Sequence, residues 1–313
     1  MRSALLLPLA QLAAAQTFPA KADGDVAGGI FSISLPDLGA RIAKDGAAMF
    51  GSGHGKESPA AKTTVKTGGT GPYIAQYQTD PTIPSHVVYA PKTPPPIPMP
   101  VIVWGNGGCQ FDGTAFSNFL TEIASHGYLV VADGPPGGTF LKGQSKVQDM
   151  RDSVDWVEKG GAAKYGQIDT KKIIAAGQSC GGLEAYSMTY HDPRIIQTMH
   201  FNIGIFQDDK KYLLKEIKVP QAYFLGGPHD IGYLLGEKDY SLLNAGLPAF
   251  KASLDTGHDG TYWSANGGKF GKAAVAYLQW QLRGDAKSKA YCLGKGAGSL
   301  VGDNWNVTSK NWT

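Results

Sequence analysis

From residue 73 onward, short apolar runs bounded by turn residues alternate with longer amphipathic stretches. The short runs predict strands at 73–78, 86–89, 101–104, 128–132, 172–176, 198–203, 221–225 and 249–254. The longer stretches predict helices over 114–125, 146–158, 181–190, 208–215, 240–244 and 270–283. Within 114–125, Phe116, Phe119, Leu120 and Ile123 recur at helical spacing, so one stripe of that helix should be buried. A short Pro/Asp turn joins the first two strands and suits an antiparallel pair. Beyond it, strand and helix alternate, which predicts an α/β protein with a mostly parallel sheet of about eight strands and helices on both faces.

The pattern weakens outside that region. Residues 16–71 are rich in Gly, Ala, Lys and Ser with little periodicity and read as a loose N-terminal extension. Gly51-Ser52-Gly53-His54-Gly55-Lys56 invites a phosphate-loop reading, but Phe50 and Glu57 stand where that motif needs Gly and Ser or Thr. The run 91–100, containing Pro94-Pro95-Pro96, reads as a stiff loop between strands. One domain is expected over 72–290, with 291–313 as a C-terminal tail. At the start, Arg2 precedes an apolar run over 4–10, and Ala13-Ala14-Ala15 follows, the pattern of a secretory signal peptide over 1–15. That run is well short of the ~18 apolar residues that a membrane span requires.

Composition narrows the function classes. The 313 residues carry 29 basic and 26 acidic side chains, a net charge of +3, which offers no electrostatic footprint for nucleic acid. The 42 glycines are near twice the usual ~7% share, yet no Gly-x-y period runs through the chain. Three cysteines, Cys109, Cys180 and Cys292, are too few for a disulfide scaffold. Asn306-Val307-Thr308 and Asn311-Trp312-Thr313 are sequons that permit N-glycosylation at Asn306 and Asn311 in a eukaryotic secretory pathway.

The chemistry concentrates at three strand ends. Gly177-Gln178-Ser179-Cys180-Gly181 has the G-x-S-x-G form, with an apolar strand before it and a helical stretch after it. In that context a tight turn lifts the Ser179 hydroxyl above the sheet edge, over a helix N-terminus that favours developing negative charge. Downstream, strand 221–225 leads into Gly226-Gly227-Pro228-His229-Asp230, and strand 249–254 into Asp255-Thr256-Gly257-His258-Asp259. The order Ser179, Asp230, His258 is that of α/β-hydrolase triads. A serine hydroxyl is a weak nucleophile at neutral pH, so a neighbouring base is required. His258 is the expected base and Asp230 the carboxylate that orients it. His229 is expected to point away along its loop, and Asp255 and Asp259 to stay within the His258 loop. A metal site from His229, Asp230, His258 and Asp259 lacks any helical or finger spacing, so no metal or cofactor is predicted.

Trp104-Gly105-Asn106-Gly107-Gly108-Cys109 follows strand 101–104, where the fold places one oxyanion-hole donor. The Cys180 N–H would be the other, and the choice between Asn106 and Gly107 stays open. WGNGGC at 104–109, ASHGY at 124–128, GQSCGG at 177–182 and GGPHD at 226–230 resemble the secreted α/β-hydrolases of the dienelactone-hydrolase and polyester-hydrolase (cutinase-like) type. The similarity covers about residues 71–290 and implies serine-dependent hydrolysis of carboxylic esters. Gln178 and Cys180 depart from the His and Met that many such enzymes carry, and Ser179 stands where dienelactone hydrolases have Cys. Cys109 and Cys180 fall on loops that should meet at the oxyanion hole, as a disulfide or as two buried thiols.

The short connection 203–221 implies, by the same resemblance, an open cleft without a large lid. The expected protein is a secreted serine esterase acting on small-molecule or polymeric esters, without a nucleic-acid or membrane partner. An amidase or peptidase on the same fold, or a non-catalytic binding protein retaining it, are the rival readings.

Overall fold

The computed structural model describes residues 67–138, 143–190 and 192–312. The expected signal peptide and nearly all of the N-terminal extension lie outside them. Thr67–Gly71 do fall inside, and they are tied down: the Thr70 N–H donates to Glu122 Oε2 at 2.8 Å and the Gly71 N–H to Ser125 Oγ at 2.9 Å.

Among the described residues, nine strands form one sheet. In chain order they are β1 (Ala75–Thr79), β2 (His86–Pro91), β3 (Met99–Gly105), β4 (Leu129–Asp133), β5 (Ile168–Gln178), β6 (Ile195–Phe201), β7 (Gln221–Leu225), β8 (Ala249–Ser253) and β9 (Asn306–Lys310). Their order across the sheet is β1-β2-β4-β3-β5-β6-β7-β8-β9. The run from β4 to β8 is parallel, whereas β1 and β2 on one side and β9 on the other are antiparallel to their neighbours. The helices are α1 (Ser117–Ser125), α2 (Val147–Glu158), α3 (Cys180–Thr189), α4 (Leu213–Glu216), α5 (Tyr233–Leu242), α6 (Gly268–Arg283) and α7 (Ala286–Leu293).

Side chains alternate across a strand, so a strand buried on both faces supplies two cores. Along β3, Val101 and Val103 join one cluster with Met150 and Val154 of α2 and Leu183 and Tyr186 of α3. Ile102 and Trp104 point the other way, into a cluster with Phe119 and Leu120 of α1 and Tyr277 and Leu278 of α6. The predicted stripe of α1 is buried as expected, with Phe116, Phe119, Leu120 and Ile123 each at 2% exposure or less.

Three expectations need correction. The C-terminal segment is not a tail: Asp285 caps α7 through the Ser288 N–H, and β9 adds a ninth strand where eight were predicted. Its sequence, NVTSK, is polar because the strand lies at the sheet edge with mostly exposed or half-buried side chains. The helix expected over 208–215 splits into a 3-10 turn, Asp208–Lys210, and the single turn α4. Lys211 turns inward there and donates to the Ile205 carbonyl at 2.7 Å and to Asp239 Oδ1 at 2.5 Å, so the chain follows its buried ammonium rather than a helical path. The helix expected over 240–244 begins instead at Tyr233, immediately after the Asp230 turn.

Candidate active site

The turn from β5 into α3 holds Ser179 at φ 53° and ψ −118°, a left-handed conformation that a non-glycine residue adopts at a cost of about 1–3 kcal/mol. Its neighbours make the turn feasible. A Cβ on Gly177 would collide with the Gly181 backbone, and one on Gly181 with the carbonyl of Gly105 at the end of β3. The Ser179 N–H donates to the Phe201 carbonyl at 2.9 Å, anchoring the elbow to β6.

The sheet brings the predicted partners to this edge. His258 Nε2 lies 2.9 Å from Ser179 Oγ, and His258 Nδ1 lies 2.7 Å from Asp230 Oδ1. Ser179 and Asp230 are buried, whereas the His258 side chain keeps 26% exposure. The loops after β7 and β8 are laced together, because Thr256 and Gly257 N–H both donate to the Gly226 carbonyl. Burial pushes the Asp230 carboxyl up, but its hydrogen bond and attraction to His258, with donors from the Gly226 and Gly232 backbone, hold it below the ordinary range. Asp230 is therefore a carboxylate at neutral pH, suited to fixing one tautomer of the ring.

The competing side chains pair elsewhere. His229 Nδ1 meets Asp255 Oδ1 at 2.7 Å, so His229 is turned from the triad as expected, while Asp255 is held across the loops by His229. Three of the four residues considered as metal ligands, His229, Asp230 and His258, are thus engaged in two separate imidazole–carboxylate pairs.

The loop after β3 forms a 3-10 turn, Gly107–Cys109, directly against the elbow. The Asn106 carbonyl accepts from the Gly181 N–H at 3.1 Å. The Asn106 side chain is fully committed: Nδ2 donates to the Gln110 and Asp133 carbonyls, and Oδ1 accepts from Trp104 Nε1. If Asn106 donates to a ligand, it therefore does so through its backbone N–H. On the other side, Cys180 is the first residue of α3, where a backbone N–H has no partner within the helix. Of the two states open for the cysteines, the disulfide is the one formed: Cys109 and Cys180 are bonded, with Cα atoms 5.2 Å apart, and Cys292 is a buried free thiol.

Two contributors escaped sequence reasoning. Gln178 Nε2 donates to the His258 carbonyl at 3.1 Å, and its Oε1 lies where a Cβ on Gly107 would stand, so this side chain bridges both loops. Asn202, just beyond β6, reaches Asp230 Oδ2 at 2.9 Å. The expected sequons also separate. Asn306 is exposed on β9, whereas Asn311 Nδ2 donates to the Ala245 and Leu247 carbonyls. No protein-family model and no curated protein matches this chain.

Proposed function

We propose that this protein is a secreted serine hydrolase of the α/β-hydrolase type that cleaves carboxylic esters, small or polymeric, through an acyl-enzyme. The observation that carries the reading is the unbroken line Ser179 Oγ, His258 Nε2, His258 Nδ1, Asp230 Oδ1, built after β5, β8 and β7. Ser179 Oγ attacks the ester carbonyl carbon while its proton passes to His258 Nε2, and the C=O π electrons move onto the oxygen. Backbone N–H groups of Cys180 and of Asn106 or Gly107 would receive that oxyanion, one such donor being worth about 3 kcal/mol. Collapse reforms the carbonyl, breaks the C–O bond, and returns the Nε2 proton to the departing alcohol. Water then repeats the sequence on the acyl-Ser179, releasing the acid.

The Cys109–Cys180 disulfide fits an oxidising compartment, as the signal-peptide pattern over 1–15 implies. Among the described residues no helix is long and apolar enough to cross a membrane.

A fluorophosphonate probe should label the protein at Ser179, and Ser179→Ala should abolish labelling and lower turnover of short-chain aryl esters by about 10⁶-fold. Matched anilides separate esterase from amidase. A folded wild-type protein that is neither labelled nor active on any ester would mark a non-catalytic binding protein.

A further inference from the structure

Asp230 has one oxygen facing His258 and one facing away, and each takes two hydrogen-bond partners. Oδ1 accepts from His258 Nδ1 and from the Gly232 N–H at 2.9 Å. Oδ2 accepts from the Gly226 N–H at 2.8 Å and from Asn202 Nδ2 at 2.9 Å. A carboxylate offers about four acceptor positions, so all of them are taken, and Asn202 is the side chain that holds the far oxygen. The same amide also donates to the carbonyl of Gly257, the residue before His258, at 3.3 Å.

Asn202 is itself fixed. It is fully buried, at φ 54°, and its N–H donates to the Phe224 carbonyl at 2.8 Å. Its Oδ1 accepts a hydrogen bond from the Tyr262 hydroxyl. That donation decides which way the amide faces, because a flipped amide would turn its oxygen toward the Asp230 carboxylate. Burial keeps the Tyr262 phenol protonated well above the ordinary range, and its ring is packed edge-on against Phe116, Phe119 and Phe270.

We propose that Asn202, oriented by Tyr262, is a positioning residue that fixes the rotation of the Asp230 carboxyl and so aims Oδ1 at His258. The inference rests on the serine-hydrolase reading for its effect on turnover, but not for its geometry. The titratable groups around this chain of bonds are His258 and Asp259 on the loop after β8, Tyr262 behind Asn202, and the His229–Asp255 pair across the loop tips.

The test reads the His258 Nδ1 proton by NMR, assigned as the downfield signal missing in His258→Gln, together with kcat and KM for an aryl ester. Asn202→Leu keeps the size but removes the donor, so the signal should broaden or vanish and kcat should fall roughly 10- to 100-fold, with KM within about twofold. Asn202→Asp should rescue both at neutral pH. Two adjacent buried carboxyls share one proton, and the protonated residue 202 then donates to Asp230 in place of the amide. As pH rises that shared proton leaves, the carboxylates repel, and signal and rate should be lost where the wild type keeps both. Tyr262→Phe should give an intermediate loss and serves if Asn202→Leu does not fold. Folded variants that keep the wild-type signal, pH profile and kcat would overturn the proposal. If the NMR responses appear in a wild-type protein that neither reacts with the probe nor turns over esters, the hydrolase reading fails while the positioning role stands.

Discussion

Cys180, the residue after Ser179, is covalently bound to Cys109 on the loop that follows β3. The bond couples the turn that carries Ser179 to the segment proposed to supply an oxyanion donor, and the Gly181 N–H to Asn106 carbonyl bond supports the same contact. Replacing both cysteines by alanine should cost about 2–4 kcal/mol of stability, measured by chemical denaturation. The turnover number should fall further than ester affinity, because the loop is needed most when charge develops on the substrate oxygen. Unchanged kcat in the double variant would detach this bond from catalysis.

Gln178 and Gly107 compete for one space. Gly107→Ala should push the Gln178 side chain off the site and reduce kcat by about 10²-fold, as loss of an oxyanion donor would. Adding Gln178→Ala vacates that space and should recover part of the loss, although Gln178→Ala alone lowers kcat by freeing the His258 carbonyl. Kinetics of the four proteins give the coupling between the positions, and strictly additive effects would contradict it.

A buried carboxyl pair lies behind the same loop. Asp133 is enclosed, neither of its carboxyl oxygens having a hydrogen-bond partner, while Glu184 accepts from Ser145 Oγ at 3.0 Å. Burial pushes both upward, Glu184 to about 8 against an ordinary 4.5, so the folded protein holds a proton there at neutral pH. The unfolded chain releases that proton near 4.5, so stability contributed by this site should decline as pH rises from 4.5 through about 8. Glu184→Gln does not titrate. Its melting temperature relative to wild type should therefore climb across that window, and a constant difference would refute the assignment.

Asp80 shows the opposite sign. Burial raises its carboxyl, but the Lys164 ammonium at 2.9 Å, the Thr82 hydroxyl and N–H, and the Tyr165 hydroxyl outweigh it and lower the value to about 2. Its stabilising effect is fully present above the ordinary 3.8 and is lost as pH falls through about 2. Asp80→Asn should melt below wild type at pH 6, with the gap narrowing across that acid range in a thermal titration.

The C-terminal strand completes the sheet beside the histidine loop. β9 pairs with β8, Trp305 is buried, and Trp312 Nε1 donates to the Ala249 carbonyl at 3.0 Å. Trp305→Ala should cost about 3–5 kcal/mol, and removal of residues 304–313 should lower the melting temperature further and promote aggregation through the uncovered edge of β8. Light scattering during thermal unfolding separates the two effects.

Much of this protein could be read without coordinates. Apolar periodicity marks seven of the inner strands and α1 closely, because the 2.0 and 3.6 repeats are local properties of the chain. The strand–Gly–Ser–Gly–helix context singled out Ser179, and chain order pointed to Asp230 and His258. What stayed hidden depends on partners distant in sequence. β9 is polar, and only its pairing with β8 makes it a strand. The helical stretch at 208–215 yields to Lys211, whose ammonium finds Asp239 on another element. Asn202 and Tyr262 belong to no motif, and Gln178 fills a variable position of one; they matter because the folded sheet brings the ends of β5, β6, β7 and β8 to one rim. Sequence alone singled out the side chains proposed to do the chemistry, while tertiary structure decided how each is aimed, since hydrogen-bond direction is set by neighbours that meet only after the chain has folded.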